Sequence, residues 1–367
     1  MPWLFNDVTT LAPGAPLASP LAFGPASYEF LKDNGSYHVI FQGFIEGQGG
    51  DGRIHELWWD NGGWHHNDLT NAAGAPLANQ FSDLAAYTRK NTEQHVCYMG
   101  ADNHIHELWW NGGWGHTDLT NNTGGAPLAL NGPVGYANDD SQQVVYRDVG
   151  SHVHLLRYHG NSWQHHEDLT ADHGGAPVLD SLRTGYFFDV QGTQHVVYQG
   201  SDNHVYELFG DSSGAWQPCS DLTVNWHAPK AKSAPIGYAF EATATQHVFY
   251  LGADDNHIYE LLWDNNVWHP NDLTLRTGAP QASPAGPATG YVFVSQRTQH
   301  VFCKGTDNHI YELLWDDNGW HPYNDLTVVT GAPLAASDPS GNVFTVGQDT
   351  QHVVYTSQDH HIIELST

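Results

Sequence analysis

Thr193-Gln-His-Val-Val-Tyr-Gln-Gly-Ser-Asp-Asn-His-Val-Tyr-Glu-Leu208 is the stretch from which the fold can be read. β-Branched and aromatic residues fill both ends, and Gly200-Ser-Asp-Asn203 separates them. Runs of that composition around a Gly/Asn/Asp cluster read as a hairpin, because Asn and Gly tolerate the positive φ that a tight turn imposes. Upstream stands a short strand signal, Gly185–Tyr186. Downstream, a second polar turn precedes Trp216 and the triplet Asp221-Leu-Thr. The unit therefore holds four strand candidates. No segment shows a convincing helical period, so helices are not expected.

The unit repeats. Asp-Leu-Thr begins at Asp68, Asp118, Asp168, Asp221, Asp272 and Asp325, and a variant, Asp-Val-Thr, begins at Asp7. After a first gap of 61 residues, lengthened by a Gly-rich insertion from Glu46 to Gly52, successive copies lie 50 to 53 apart. Gly-Ala-Pro follows the triplet at Gly74, Gly125, Gly175, Gly278 and Gly331. Asp325 is followed by 42 residues, and the first seven bring that repeat to 49, so the pattern is circular. Four strands per repeat and seven repeats predict an all-β, seven-bladed β-propeller. The Gly-Tyr strand should be innermost and the Trp-bearing strand outermost. Residues 1–9 supply the outer strand of the C-terminal blade, and pairing them with the C-terminal strand hides two open edges. The whole chain, 1–367, reads as a single domain, with repeats ending near 70, 120, 170, 223, 274, 327 and 367.

Composition narrows the function. Lys plus Arg number 12 against 40 Asp plus Glu, a formal charge of −28 that repels nucleic acid and anionic membranes. No apolar run suits a bilayer span, so no membrane insertion is expected. The N-terminus carries no signal-peptide pattern, which predicts a soluble protein, cytoplasmic or exported by another route. Cys97, Cys219 and Cys303 are odd in number and far apart, the pattern of free thiols.

Two polar residues recur where burial without a partner is costly. One is a His on the second strand: His38, His95, His195, His247, His300 and His352. The other is a Glu on the third: Glu56, Glu107, Glu207, Glu260, Glu312 and Glu364. The regular pairs are 12 or 13 residues apart across a tight turn, which makes them neighbours. The third repeat has Gln143 and Leu155 instead. Either the pairs are architectural, each residue satisfying the other, or they line pockets between blades and hydrogen-bond a ligand. In the second case the outer-strand tryptophans (Trp3, Trp64, Trp114, Trp163, Trp216, Trp268, Trp320) supply apolar platforms for a sugar face. Loss of the pair in one repeat favours the second case, since a redundant site can decay.

This pattern resembles the fucose-binding propeller lectins of fungi and bacteria over the whole chain. The resemblance implies multivalent binding of glycans or glycoconjugates in inter-blade pockets, built from an arginine, a glutamate and a tryptophan. Glutamate carries over to Glu107, Glu207, Glu260, Glu312 and Glu364, and tryptophan to Trp114, Trp216, Trp268 and Trp320. Histidine stands where the family has arginine. The alternative class is a protein-interaction scaffold. An enzyme using the central channel is a remoter reading, because repeated carboxylates suit repeated binding better than one asymmetric centre; Asp139–Asp140 is its nearest candidate. No cofactor is implied, and homo-oligomers stay open. His104, His204, His257 and His309 each follow Asp-Asn at a turn, one blade apart, and read as solvated turn-edge residues. His65–His66 and His360–His361 are adjacent and point to opposite strand faces. No metal site is expected from this spacing, nor a calcium loop at Asp254–Asp255.

Overall fold

The computed structural model describes residues 2–20, 24–32, 35–47, 49–60, 62–211, 213–347 and 349–367, with only the backbone of residue 288. Seven antiparallel sheets follow one another along the chain. Blade 1 occupies 17–68, blade 2 84–118, blade 3 134–168, blade 4 184–221, blade 5 236–272 and blade 6 282–325; blade 7 combines 340–366 with Leu4–Asp7. The fold is thus a seven-bladed β-propeller. It closes as the sequence predicts, with Leu4 opposite Ser366 and Asp7 opposite Ile363.

Blade 4 shows the plan. Thr184–Phe188 is the inner strand, followed by Thr193–Gln199, Val205–Asp211 and the outer Ser220–Asp221. The Asp-Asn turns behave as their composition requires: Asn103, Asn203, Asn256 and Asn308 have φ of 63°, 67°, 59° and 67°. Inner strands lock each blade to the next through one repeated bond. Tyr28, Tyr87, Tyr136, Tyr186, Tyr238 and Tyr291 donate their hydroxyls to Gln94, Gln142, Gln194, Gln246, Gln299 and Gln351 of the following blade. The Gly-rich insertion lengthens the hairpin of blade 1, whose strands run Ser36–Ile45 and Gly49–Asp60; Gln48 within it lies outside the described residues.

Asp-Leu-Thr does more than end a strand. Each Asp caps a helix of four or five residues, such as Leu222–Trp226, accepting from the backbone N–H three positions on. The Leu, or Val8, is fully buried. The Thr hydroxyl accepts from an N–H of the third strand, the first one in every blade but blade 1, as Thr223 does from Val205 at 2.9 Å. These helices correct the expectation of none, since one turn is too short to show a period. The Gly-Ala-Pro loop is equally specific: Tyr98, Tyr146, Tyr198, Tyr250 and Tyr355 donate to carbonyls within it or at its counterparts. All three cysteines are free. No described helix is long and apolar enough to cross a membrane.

Candidate functional site

The repeated His and Glu meet in every blade that has them. His Nδ1 lies 2.7–2.8 Å from Glu Oε1 in blades 1, 2, 4, 5, 6 and 7. An ionised carboxylate only accepts, so Nδ1 carries the proton. In five of these blades a hydroxyl two residues before the His reaches Nε2: Ser36, Thr193, Thr245, Thr298 and Thr350, at 2.6–2.9 Å. A neutral imidazole is then satisfied at both nitrogens. In three blades an outer-strand asparagine donates to the second Glu oxygen: Asn6 to Glu364 at 2.9 Å, Asn271 to Glu260 at 3.0 Å, and Asn324 to Glu312 at 3.2 Å.

The tryptophan that faces each pair comes from the next blade. Trp320 of blade 6 donates its indole N–H to Glu260 of blade 5 at 3.3 Å. Trp163 of blade 3 lines the cleft of His95 and Glu107, and Trp64 of blade 1 that of His352 and Glu364. Trp3 meets Phe302 of blade 6 edge-on. Trp114 and Trp268 pack in the same way on apolar residues of blades 1 and 4. The sequence offered all seven tryptophans as platforms, Trp163 among them, without saying which pair each one faces. Trp216 faces blade 3, where it packs in one buried cluster with Leu155. It has no His–Glu pair opposite and is core.

Blade 2 breaks the pattern. Glu93 replaces the Ser or Thr, and its carboxylate is 3.7 Å from His95 Nε2, too long for a hydrogen bond, which leaves that nitrogen buried and unpartnered. Burial disfavours the imidazolium, yet the hydrogen bond to Glu107 and the nearby Glu93 carboxylate outweigh it and hold the His95 pKa above its ordinary value. The nearby His95 and the Arg89 charge, against burial, keep Glu93 below its own. Arg89, at the end of the inner strand, pairs with Glu93 at 2.5 Å, and its Nε has no partner. The guanidinium lies 4.9 Å over the Tyr158 ring of blade 3. Thr117 stands where Asn271 does in blade 5, and it accepts from the Trp109 indole at 3.0 Å instead of tying Glu107. Arg89 and Glu93 were missed from sequence because each is peculiar to one repeat, and Trp109 because only blade 1 repeats it, as Trp58.

Clefts open at three of these boundaries. That between blades 2 and 3 has a volume of about 290 Å³ and is lined by Arg89, His95, Glu107, Trp109, Tyr158 and Trp163. Those between blades 5 and 6 and between blades 7 and 1 hold about 180 and 300 Å³. A further cavity of about 280 Å³ lies where inner strands converge; it includes Asp83 and the ion pair of Arg183 with Asp338 at 3.3 Å. Burial pushes the Asp83 carboxyl up to about 7.

The turn histidines are not simply solvated. His104, His204, His257 and His309, with His152 and His361, direct Nδ1 to the helix-capping Asp at 2.6–2.9 Å. In blade 1 Arg53 takes that place at 2.6 Å. Gly210-Asp-Ser-Ser-Gly214 has the letters of a nucleophile elbow. It forms a hairpin turn in which Ser213 bonds Asp211, not a strand-to-helix turn, and Ser212 lies outside the described residues.

Comparison with known proteins follows the same lines. The sequence model of a family described as fungal fucose-specific lectin matches residues 44–283. Among solved structures, the BP39L lectin from Burkholderia pseudomallei superposes with a TM-score of 0.71 at 12% identity, covering 95% of this chain and 96% of that one. A mutant Aleuria aurantia lectin in complex with α-methyl-L-fucoside gives 0.54 at 14%, covering 82% and 94%. A further structure of that lectin, described as a six-bladed propeller, gives 0.52 at 16%, covering 82% and 95%. No curated protein sequence matches.

Proposed function

The chain belongs to the fungal fucose-specific lectin family, and from that premise we propose that it binds fucose-type sugars in its inter-blade clefts, chiefly between blades 2 and 3. It is a carbohydrate-binding propeller, and a lectin rather than an enzyme. One observation carries the choice of cleft. Between blades 2 and 3, polar atoms without protein partners (Arg89 Nε and His95 Nε2) stand in the same cleft as Glu107 and the Trp109 and Trp163 rings.

The roles follow from chemistry. Arg89 presents a donor fork to neighbouring sugar oxygens, the function that the family's second-strand arginine performs. Glu107 accepts a hydroxyl proton, and Trp163 covers an apolar sugar face. His95 holds Glu107 and adds a donor at Nε2. In the other clefts a sugar competes with the hydroxyl–His–Glu relay, and where present with its asparagine. Those sites are weaker and contribute through avidity on dense glycans. The fucoside complex of the Aleuria aurantia relative supports the sugar class.

Isothermal titration with L-fucose tests this on wild type, Arg89→Ala and Glu260→Gln. We expect one dominant site per chain that weakens about 10- to 100-fold in Arg89→Ala, the effect of losing a charged hydrogen bond, and survives in Glu260→Gln. No heat with any monosaccharide at millimolar concentration would sink the reading.

A further inference from the structure

We propose that Asp148, His152, His154 and Asp168 of blade 3 form a binding site for one divalent transition-metal ion of the zinc class. His152 Nδ1, His154 Nε2 and an oxygen of Asp168 all lie within 4.8 Å of one another. Separately, they are 2.6 Å apart for His152 and Asp168 and 3.9 Å for His154 and Asp168. Asp148 Oδ2 is 3.3 Å from His154 Nε2. A tetrahedral zinc ion with bonds of ~2.0–2.2 Å sets its ligand atoms about 3.3 Å apart, so small side-chain rotations convert this cluster into a coordination sphere. Two imidazoles and two carboxylates suit a borderline tetrahedral ion better than calcium or magnesium, which favour all-oxygen sites.

The decisive residue is His154. It is 2% exposed, and neither ring nitrogen makes a hydrogen bond. Five other blades satisfy this position internally, and blade 7 has the apolar Ile363 there. In blades 1 and 2, His55 and His106 bond His66 and His116 through Nδ1, and Asp51 and Asp102 through Nε2. In blades 4, 5 and 6 a tyrosine stands there, and Tyr206, Tyr259 and Tyr311 donate to Asp202, Asp255 and Asp307. Blade 3 alone among these sets a buried imidazole beside two carboxylates without a hydrogen bond to either.

The surrounding bonds are those that orient metal ligands. Asp168 Oδ1 accepts from the Ala171 N–H at 2.9 Å, and Asp148 Oδ1 from the His152 N–H at 2.8 Å. Each carboxylate is thereby fixed through one oxygen, and its other oxygen faces the histidines. An ion here would fasten the turn at 148–152 to the outer strand at 167–168. Blade 3 is also the blade that lacks the His–Glu brace between its middle strands, so the ion would brace it by other means.

Cobalt and zinc titration of the full chain, after treatment with a chelator, tests the site. We expect one Co²⁺ per chain with the intense visible absorption of tetrahedral coordination, displaced by Zn²⁺, and a higher melting temperature with metal. His152→Ala, at a half-exposed ring, and Asp148→Asn should abolish the absorption, and both variants should remain folded by circular dichroism. His257→Ala, in the Asp255–His257–Asp272 cluster of blade 5, should leave it unchanged. Weak octahedral spectra, several equivalent ions, or binding indifferent to His152→Ala would assign the metal to surface histidines and overturn the proposal. Loss of the absorption in His257→Ala would move the site to blade 5 and do the same.

Discussion

The clefts between blades 2 and 3 and between blades 5 and 6 are built on the same strands, yet their carboxylates are committed differently. Glu260 is held by His247, Asn271 and Trp320, and His247 in turn by Thr245. Glu107 is held by His95 without the asparagine, and Glu93 leaves His95 short of a hydrogen-bond partner at Nε2. One cleft has closed its hydrogen bonds on itself, whereas the other has kept some open and added an arginine. A repeated pair can therefore be architectural in most blades and chemical in one.

The closed arrangement fails most completely where its asparagine arrives on a separate piece of chain. In blade 7 Asn6 plays the part of Asn271, and it sits on the strand that closes the ring. Deleting residues 2–7 removes four cross-strand pairs and leaves the edge at Ile362–Ser366 open. Urea unfolding should show a loss of about 4 kcal/mol or more, at ~1 kcal/mol per hydrogen bond. Unchanged stability would mean that the closure contributes little.

The next largest effect separates the two kinds of cleft by stability. Glu260→Leu strands the buried His247 and the partly buried Asn271, and breaking such a pair from one side costs about 3–5 kcal/mol. The double change His247→Gln with Glu260→Leu copies Gln143 and Leu155 of blade 3, and should recover much of that loss. Additive losses in chemical denaturation would show that no coupling exists between the two residues.

Exchange of one outer-strand residue should move binding between the clefts. Thr117→Asn gives Glu107 the partner that Glu260 has, and Asn271→Thr releases Glu260. We expect fucose affinity to fall about fivefold to tenfold in the first variant, the worth of a hydrogen bond of roughly 1 kcal/mol. In the second, a weak additional site should emerge. Equal isotherms would mean that the asparagine does not gate the carboxylate.

The fold was legible because each repeated residue answers a backbone need: the Asp caps, the Thr accepts from a strand N–H, the Asn takes positive φ. Copies of a structural solution stand out in a sequence. The candidate site was legible only in its shared part, the His and the Glu. Arg89, Glu93 and Thr117 occur once each, and no periodicity marks a departure as useful. Which tryptophan faces which pair was not legible, because blade neighbours meet across fifty residues of chain. His154 was invisible for a similar reason: its partners, Asp148 and Asp168, are ordinary turn and cap residues elsewhere in the ring.

The smallest expected effect is on pH dependence, and it singles out blade 2. The folded pKa of His95 is raised above the ordinary value near 6.5. A raised pKa means that the native state holds the proton more tightly than the unfolded chain. The stabilisation is then complete below about 6.5 and is lost as pH climbs through the folded value. Glu93 works in a separate window: its lowered pKa adds stability above the carboxylate range that disappears only on acidification. Glu93→Gln removes one of the two carboxylates that favour the imidazolium, so the His95 pKa should fall, and with it the pH at which this stability is lost. Imidazole proton resonances followed by NMR should show His95 titrating above 6.5 in the wild type and lower in Glu93→Gln. Should His95 titrate identically in both proteins, the charge on Glu93 would not reach the cleft, and the contrast between the two clefts would reduce to Arg89 and the missing asparagine.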